Sequence, residues 1–148
     1  MNVVTTSTAV FEEINEEHQW LERMYAGIRS VLTRGSGQLD VLQRLFLVLA
    51  EEVDRHFAHE EQGGYFDEVV EIAPRLADRV EALREEHVSL LATLQAMCRL
   101  FDEAEDTPEW WQAIESDFEG FLCRCEAHES SENELVQEAW LQDIGACD

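Results

Sequence analysis

Basic residues are scarce in this 148-residue chain, in which 10 Lys and Arg stand against 33 Asp and Glu. The resulting formal net charge of −23 argues against nucleic acid or an anionic membrane as a partner, because both are polyanions. Most of the acidic side chains are expected to form a solvated helix surface. A role of this charge in cation handling and salt tolerance of the host are the alternative interpretations.

The chain also has few prolines and no long apolar run, and its cysteines form no C-x-x-C motif. The longest apolar run, residues 45–50, is too short to span a bilayer, and the N-terminus has neither a basic region nor a signal-like apolar block. We therefore expect a cytoplasmic protein. Two prolines and 45% apolar residues argue against a disordered chain or a fibre. No C-x-x-C motif occurs, and we expect reduced thiols at the four cysteines, Cys98, Cys123, Cys125 and Cys147.

Helical periodicity runs through every long segment, and none alternates like a strand. The predicted helices span residues 8–33, 39–62, 75–104 and 108–141. Ser7 is the expected N-cap of the first, and Thr107 and Pro108 are the expected N-cap and first residue of the last. Short connections between four long helices predict an all-α, antiparallel up-down-up-down four-helix bundle that forms a single domain over residues 1–148.

The pair Gly63-Gly64 interrupts the second helical segment. Glycine costs about 1 kcal/mol relative to alanine in a helix interior, so a kink or break is expected here. Residues 65–72 would then form a further helical turn or two before Pro74 begins the next helix. The break either opens a path to the core or only turns the chain.

Four of the five histidines fall on the apolar stripes of the predicted helices, one on each helix. His56 and His128 are each followed four residues later by a glutamate, and an i, i+4 pair projects from one face of a helix. A lone histidine on such a stripe is more often a core residue than a ligand. Burying four imidazoles and two carboxylates without partners would cost several kcal/mol each. The pattern therefore predicts a metal pair held by His18, His56, Glu60, His87, His128 and Glu132.

The ligand positions repeat within the chain. His18 precedes His87 by 69 residues, and His56 and Glu60 both precede their counterparts by 72. The words Glu16-Glu17-His18 and Glu85-Glu86-His87 also match. This echo predicts two helical hairpins related by a pseudo-twofold axis, which would place the ligand sets face to face.

The order H…H-x-x-x-E…H…H-x-x-x-E, with the word from Arg55 to Glu61 around it, resembles the hemerythrin-like family of HHE cation-binding domains. The resemblance implies two iron ions in an oxo- or hydroxo-bridged diiron centre, with Glu60 and Glu132 as bridges and the four histidines as terminal ligands. Oxygen-carrying members have a further histidine where this chain has Leu91, and an aspartate where it has Asn133. These departures favour a more open and reactive site over simple oxygen carriage.

Three residues near the ligands have more than one interpretation each. His59 is an additional ligand, a hydrogen-bond partner of a bridging carboxylate, or an exposed histidine. Tyr25 and Cys125 contact bound oxygen species, carry a radical, or simply pack in the core. The sequence leaves these alternatives open.

The resemblance implies a non-haem diiron protein that binds, senses or decomposes O2 or reactive oxygen species, with a peroxide-decomposing or oxidase-like enzyme as one form. The alternative is an iron-homeostasis or nitrosative-stress protein that binds NO or stores and donates iron. O2, peroxide or NO are the expected small ligands, and no protein partner is predicted. A structural bundle with zinc or a vestigial site is the third possibility.

Overall fold

Four long helices and one short helix make up the computed structural model, which describes residues 3–35 and 37–145. The helices are α1 (Val3–Arg34), α2 (Leu39–Gln62), α3 (Tyr65–Ile72), α4 (Ala77–Arg99) and α5 (Pro108–Gly145). Within those residues there is no strand, so the all-α prediction is confirmed. Helix α1 packs against α2, α4 against α5, and α2 against α4, as in a four-helix bundle.

The ends of the long helices follow the sequence prediction to different degrees. Helix α2 spans the predicted residues 39–62. Helix α1 begins at Val3, so Ser7 lies inside it and the predicted N-cap was wrong. A serine cap stabilises a helix start by only about 1 kcal/mol, and a helix that continues upstream can override it. Cys147 lies outside the described residues.

The third and fourth long helices are bounded by tighter turns and a side-chain cap. The predicted helix over residues 75–104 is α-helical only in α4, because Pro74–Leu76 and Leu100–Glu103 form 3₁₀ turns at its two ends. At the start of α5, the backbone N–H of Trp110 donates a hydrogen bond to the Thr107 hydroxyl at 3.3 Å. Pro108 is the first residue of α5, so this predicted start is confirmed.

The predicted break at Gly63-Gly64 is present, and it separates α2 from α3. Gly64 has a φ of 98°, in the left-handed region where a residue with a Cβ is strained. The reversal lets α3 pack back against the bundle, where its side chains Tyr65, Phe66 and Val69 are buried. Phe66 stacks on the His87 ring with centroids 5.5 Å apart, so the break brings an aromatic side chain onto a predicted ligand.

Gly63 has a different reason to lack a side chain. A Cβ at this position would lie 2.3 Å from Cδ2 of His59 and 2.5 Å from its carbonyl oxygen. We expect Gly63→Ala to lower the free energy of unfolding by about 1–3 kcal/mol, because backbone or ring must shift. Gly120→Ala is the control, since its Cβ meets nothing within 4 Å and the change should stabilise α5 by about 0.5–1 kcal/mol. Urea titration of both variants measures the difference; equal unfolding midpoints would contradict the prediction.

Two apolar clusters fill the interior at different levels of the bundle. One includes Leu21, Val53, Phe57 and Leu90. The other includes Ile14, Leu83, Leu135 and the buried side chains of α3. On α1 and α4 the predicted histidine ligand falls between a residue of one cluster and a residue of the other. No helix in the described part of the chain is long and apolar enough to cross a membrane.

Candidate metal centre

The six predicted ligands meet in one layer between the two apolar clusters. They come from four helices: His18 from α1, His56 and Glu60 from α2, His87 from α4, and His128 and Glu132 from α5. Glu60 and Glu132 are completely buried, and His18 retains the most exposure, at 11% of its side chain. The structure therefore brings together all six residues that the sequence pattern singled out.

Each histidine turns its Nε2 atom towards the two central carboxylates. His56 Nε2 and His87 Nε2 both lie 3.2 Å from Oε1 of Glu60. His128 Nε2 lies 2.7 Å from Oε1 of Glu132, and His18 Nε2 lies 3.4 Å from Oε2 of the same residue. The inward nitrogens and the carboxylate oxygens thus face one another across a small polar centre.

The ligand atoms divide into two overlapping groups that could each hold a metal ion. One group contains His18, His56 and Glu60, and the other contains Glu60, His87, His128 and Glu132. Within each group the ligand atoms lie within 4.8 Å of one another. Glu60 belongs to both groups, which is the arrangement required of a carboxylate between two ions.

Several buried polar atoms of this centre lack a hydrogen-bond partner, and a cation could take that place. Among the described residues, both carboxylate oxygens of Glu60, Oε2 of Glu132 and Nε2 of His128 are buried without a hydrogen-bond partner. Leaving an ionised carboxylate buried without a partner is costly, and proteins avoid it by pairing the charge or by coordinating metal. The donor set therefore fits metal ions at this position.

The outward Nδ1 atom of each histidine faces a carboxylate from another helix. His56 donates to Glu17 at 2.8 Å, His87 donates to Glu61 at 3.1 Å, and His128 donates to Glu86. His18 Nδ1 lies 3.4 Å from Glu129. A carboxylate at Nδ1 fixes the ring and leaves Nε2 free as a ligand. The spacing of the ligands did not indicate these four carboxylates, although Glu17 and Glu86 stand in the repeated Glu-Glu-His words.

Charge compensation within the centre is visible in its pKa values. Burial would lower the pKa of His18, but the nearby carboxylates of Glu132 and Glu60 outweigh burial and raise it to about 10. The same balance raises the pKa of His87 to about 9. Burial would raise the pKa of Glu132, yet the close approach of three histidines, led by His128, holds it well below the usual range. Protons thus supply positive charge in this centre, and an entering cation must displace them.

Comparison with protein families assigns the chain to a family. The family described as the hemerythrin HHE cation-binding domain matches residues 9–140. The chain belongs to this hemerythrin family. No curated protein and no solved structure matched the chain. The matched span contains all six residues of the centre, so the hemerythrin domain and the buried His/Glu groups both indicate a metal-binding protein.

Aromatic rings pack on His87 of this hemerythrin domain. The His87 ring stacks on Phe57 with centroids 3.9 Å apart and an interplanar angle of 7°, and Phe66 lies on it as well. Phe57 belongs to α2 and Phe66 to α3. The Gly63-Gly64 break is thus followed directly by the helix that carries Phe66, which packs on the His87 ring.

His59 lies outside both ligand groups. Its Nδ1 donates to Oε2 of Glu17 at 2.5 Å, and its Nε2 lies 3.4 Å from Glu13. Glu17 thus accepts hydrogen bonds from both His56 and His59. Of the interpretations left open by the sequence, the structure supports neither a ligand nor a contact with a bridging carboxylate; His59 supports the residue that holds His56.

Tyr25 and Cys125 lie beside the centre and close to each other. Both line a cavity of about 240 Å³ between α1 and α5, whose wall also includes His18, His128 and Glu132. The positions at which this hemerythrin domain departs from the oxygen carriers hold no extra ligand: Leu91 packs against the apolar cluster and Asn133 is exposed.

Replacing Glu17 tests the role of the carboxylates that face the Nδ1 atoms of the four histidines. We expect Glu17→Gln to weaken metal binding by roughly tenfold to a hundredfold, because outer carboxylates that orient ligand histidines typically contribute this much. Glu16→Gln is the matched control, since Glu16 neighbours Glu17 on α1 but is exposed. Competition with a chelator measures both affinities. Equal affinities for the two variants would show that the Glu17 contact does not position His56.

Proposed function

We propose that this protein holds two iron ions between its four histidines and two central glutamates, and that it binds or reacts with dioxygen or a reactive oxygen species there. The observation that carries the proposal is the sharing of Glu60 by the two ligand groups. A shared carboxylate keeps two cations close together. The unpartnered oxygens of Glu60 and Glu132 support the same assignment.

The proposed division of ligands follows the two groups. His18 and His56 would hold one ion, and His87 and His128 the other. Glu60 would lie between them, and Glu132 would too, because its two oxygens approach His128 and His18 respectively. The rings of His18 and His56 are 4.6 Å apart, and those of His87 and His128 are 4.7 Å apart, which supports this pairing.

We further propose that the α1–α2 and α4–α5 hairpins are antiparallel and related by a pseudo-twofold axis. The contact between Glu17 and His56 has its counterpart between Glu86 and His128. In both cases the glutamate that precedes one ligand histidine holds the next ligand histidine along the chain. The repeated sequence words and the repeated contacts support a common origin for the two ligand sets.

Iron fits this donor set better than zinc does. Zinc in structural sites prefers four ligands in a tetrahedron, whereas this centre offers six side chains with carboxylates between the imidazoles. Imidazole and carboxylate together suit iron, which supplies redox chemistry and accepts small ligands at open positions. Carboxylates of neighbouring helices hold the imidazoles through Nδ1. The two apolar clusters lie on either side of the centre along the bundle and exclude bulk water there.

The test is anaerobic iron loading followed by metal analysis and absorbance spectra. We expect about two iron ions per chain, and spectral changes on adding dioxygen or peroxide, as open positions on bound iron would allow. Consumption of peroxide over many cycles would favour an enzyme over a carrier. A response to NO alone would favour the alternative role in nitrosative stress or iron handling. Zinc as the only metal retained, or no metal at all, would contradict the proposal.

The cytoplasmic location and the small ligands expected from the sequence stay predictions. Fractionation of cells tests the location, and spectra with each small ligand test the ligands.

A further inference from the structure

The two ligand groups of the centre are unequal in size. The one that includes His87 and His128, called the His87 group below, has four members and contains both central carboxylates. The one that includes His18 and His56, called the His18 group, has three members and contains only the carboxylate of Glu60. The number of charged ligands and the rigidity of a site together set its affinity for a cation. The His87 group therefore offers a cation more negative charge.

The His87 group is also the more rigid of the two. The His87 ring stacks on Phe57 with centroids 3.9 Å apart, and only 2% of its side chain is exposed. Its Nδ1 lies 3.1 Å from Glu61, and Nδ1 of His128 lies 2.5 Å from Glu86. Packing and hydrogen bonds of this kind fix the ligand rotamers before an ion arrives, so that binding costs little conformational entropy.

His18 is the least constrained of the four histidines. Its side chain retains 11% exposure, and its ring meets the His56 ring edge to face, with centroids 4.6 Å apart. Its Nδ1 atom lies 3.4 Å from Glu129, the longest of the four distances between a histidine Nδ1 and its carboxylate. The His18 group thus combines the smaller number of carboxylates with the least firmly held ligand.

His56, the second histidine of the His18 group, has a support that its counterpart His128 lacks. His59 donates to Oε2 of Glu17 at 2.5 Å, and the other oxygen of Glu17 accepts from His56. The residue 72 positions after His59 is Ser131, whose hydroxyl instead donates to the backbone of its own helix at 3.1 Å. The His59 ring has room beside α2 because Gly63 carries no Cβ. His59 therefore strengthens one half of the centre alone.

We propose that the two ion positions have unequal affinities: the His87 group fills first, and the His18 group fills only at a higher concentration of free cation and is the first to lose its ion. His59 is a positioning residue for the weaker position. The division into two positions rests on the proposed function. Because Glu60 belongs to both groups, the first ion also repels the second, which increases the difference between the two affinities.

Cobalt(II) tests the order of binding without iron, since imidazole and carboxylate ligands bind it as well. Crystals grown from metal-free protein with one equivalent of Co²⁺ should show one anomalous peak, beside His87 and His128. An excess of Co²⁺ should add a second peak beside His18 and His56. Calorimetric titration should give two dissociation constants that differ by about tenfold or more. A first peak beside His18, or equal occupancy of both positions at one equivalent, would overturn the inference.

His59→Ser gives α2 the residue that α5 has at the corresponding position. The change should weaken the second association of Co²⁺ by roughly threefold to tenfold and leave the first unchanged, because Glu17 loses one of its two partners. Ser131→Ala is the matched control and should change neither constant. Circular dichroism checks that both variants fold. A purely structural role of His59 would not separate the two constants, so an equal change in both, or no change, would overturn its assignment.

The results with the two metals separate this inference from the proposed function. Cobalt that fills the His87 group first, in a protein that retains no iron after anaerobic loading, would contradict the proposed function and support the order of binding. Two bound iron ions, together with cobalt that fills both groups equally, would overturn the inference alone. Absence of cobalt from both groups would overturn it as well.

Discussion

Glu60→Gln should remove iron from both positions of the centre at once. The Glu60 carboxylate is completely buried, contacts His56 and His87 from opposite hairpins, and belongs to both ligand groups. Removing one member of a buried charge pair costs about 3–5 kcal/mol. Since 1.4 kcal/mol corresponds to a factor of ten in affinity, each ion should bind about a hundredfold more weakly or worse.

Glutamine has the shape of glutamate, so Glu60→Gln should still fold, and circular dichroism checks this. Glu51→Gln on the exposed side of α2 is the matched control and should keep its iron. Metal analysis after desalting gives the result. Glu60 would not be shared by two ions if Glu60→Gln lost only one iron ion, and if His56→Ala and His128→Ala each lost that same ion.

Removing the metal should lower the thermal stability of the protein by a large margin. Without metal, buried oxygens of Glu60 and Glu132 lack hydrogen-bond partners, and the folded state bears that cost. A ligand that binds only the folded state stabilises it by about 2.7 kcal/mol when its free concentration is about one hundred times Kd. For a domain of this size that amounts to a shift in Tm of roughly 10 °C for each ion.

Calorimetry of the iron-loaded protein and of the chelated protein, both kept anaerobic, measures the shift in Tm. The variant with both Glu60→Gln and Glu132→Gln provides the control, because added iron should not move its Tm. An identical Tm for the loaded and chelated wild-type protein would mean that the ions do not bind at the buried carboxylates.

Much of the fold could be predicted because local chemistry determines it. The end of α2, the break at Gly63-Gly64 and the Thr107 cap each depend on residues that adjoin one another in sequence. The start of α1 could not be predicted in this way. Ser7 has a good capping side chain, but the choice between capping and continuing a helix is worth only about 1 kcal/mol, and the residues before it continue the helix.

The residues of the candidate site also differ in how far the local sequence determines them. Its six residues could be found because they interrupt apolar stripes, and helical periodicity places stripes in the core. The carboxylates that hold the histidines could not, because contacts such as Glu61 with His87 join residues on different helices. Which histidines lie together was equally hidden, since periodicity gives the face of each helix but not the order of the helices around the core. The alternatives for His59 stayed open for the same reason, because its partner Glu17 lies on α1.

The most direct test of the central claim is anomalous X-ray scattering at the iron edge from crystals of the iron-loaded protein. Two iron peaks are predicted, both next to Glu60 and Glu132, with His18 and His56 beside one and His87 and His128 beside the other. A single peak, or iron bound only among the surface carboxylates, would contradict the account.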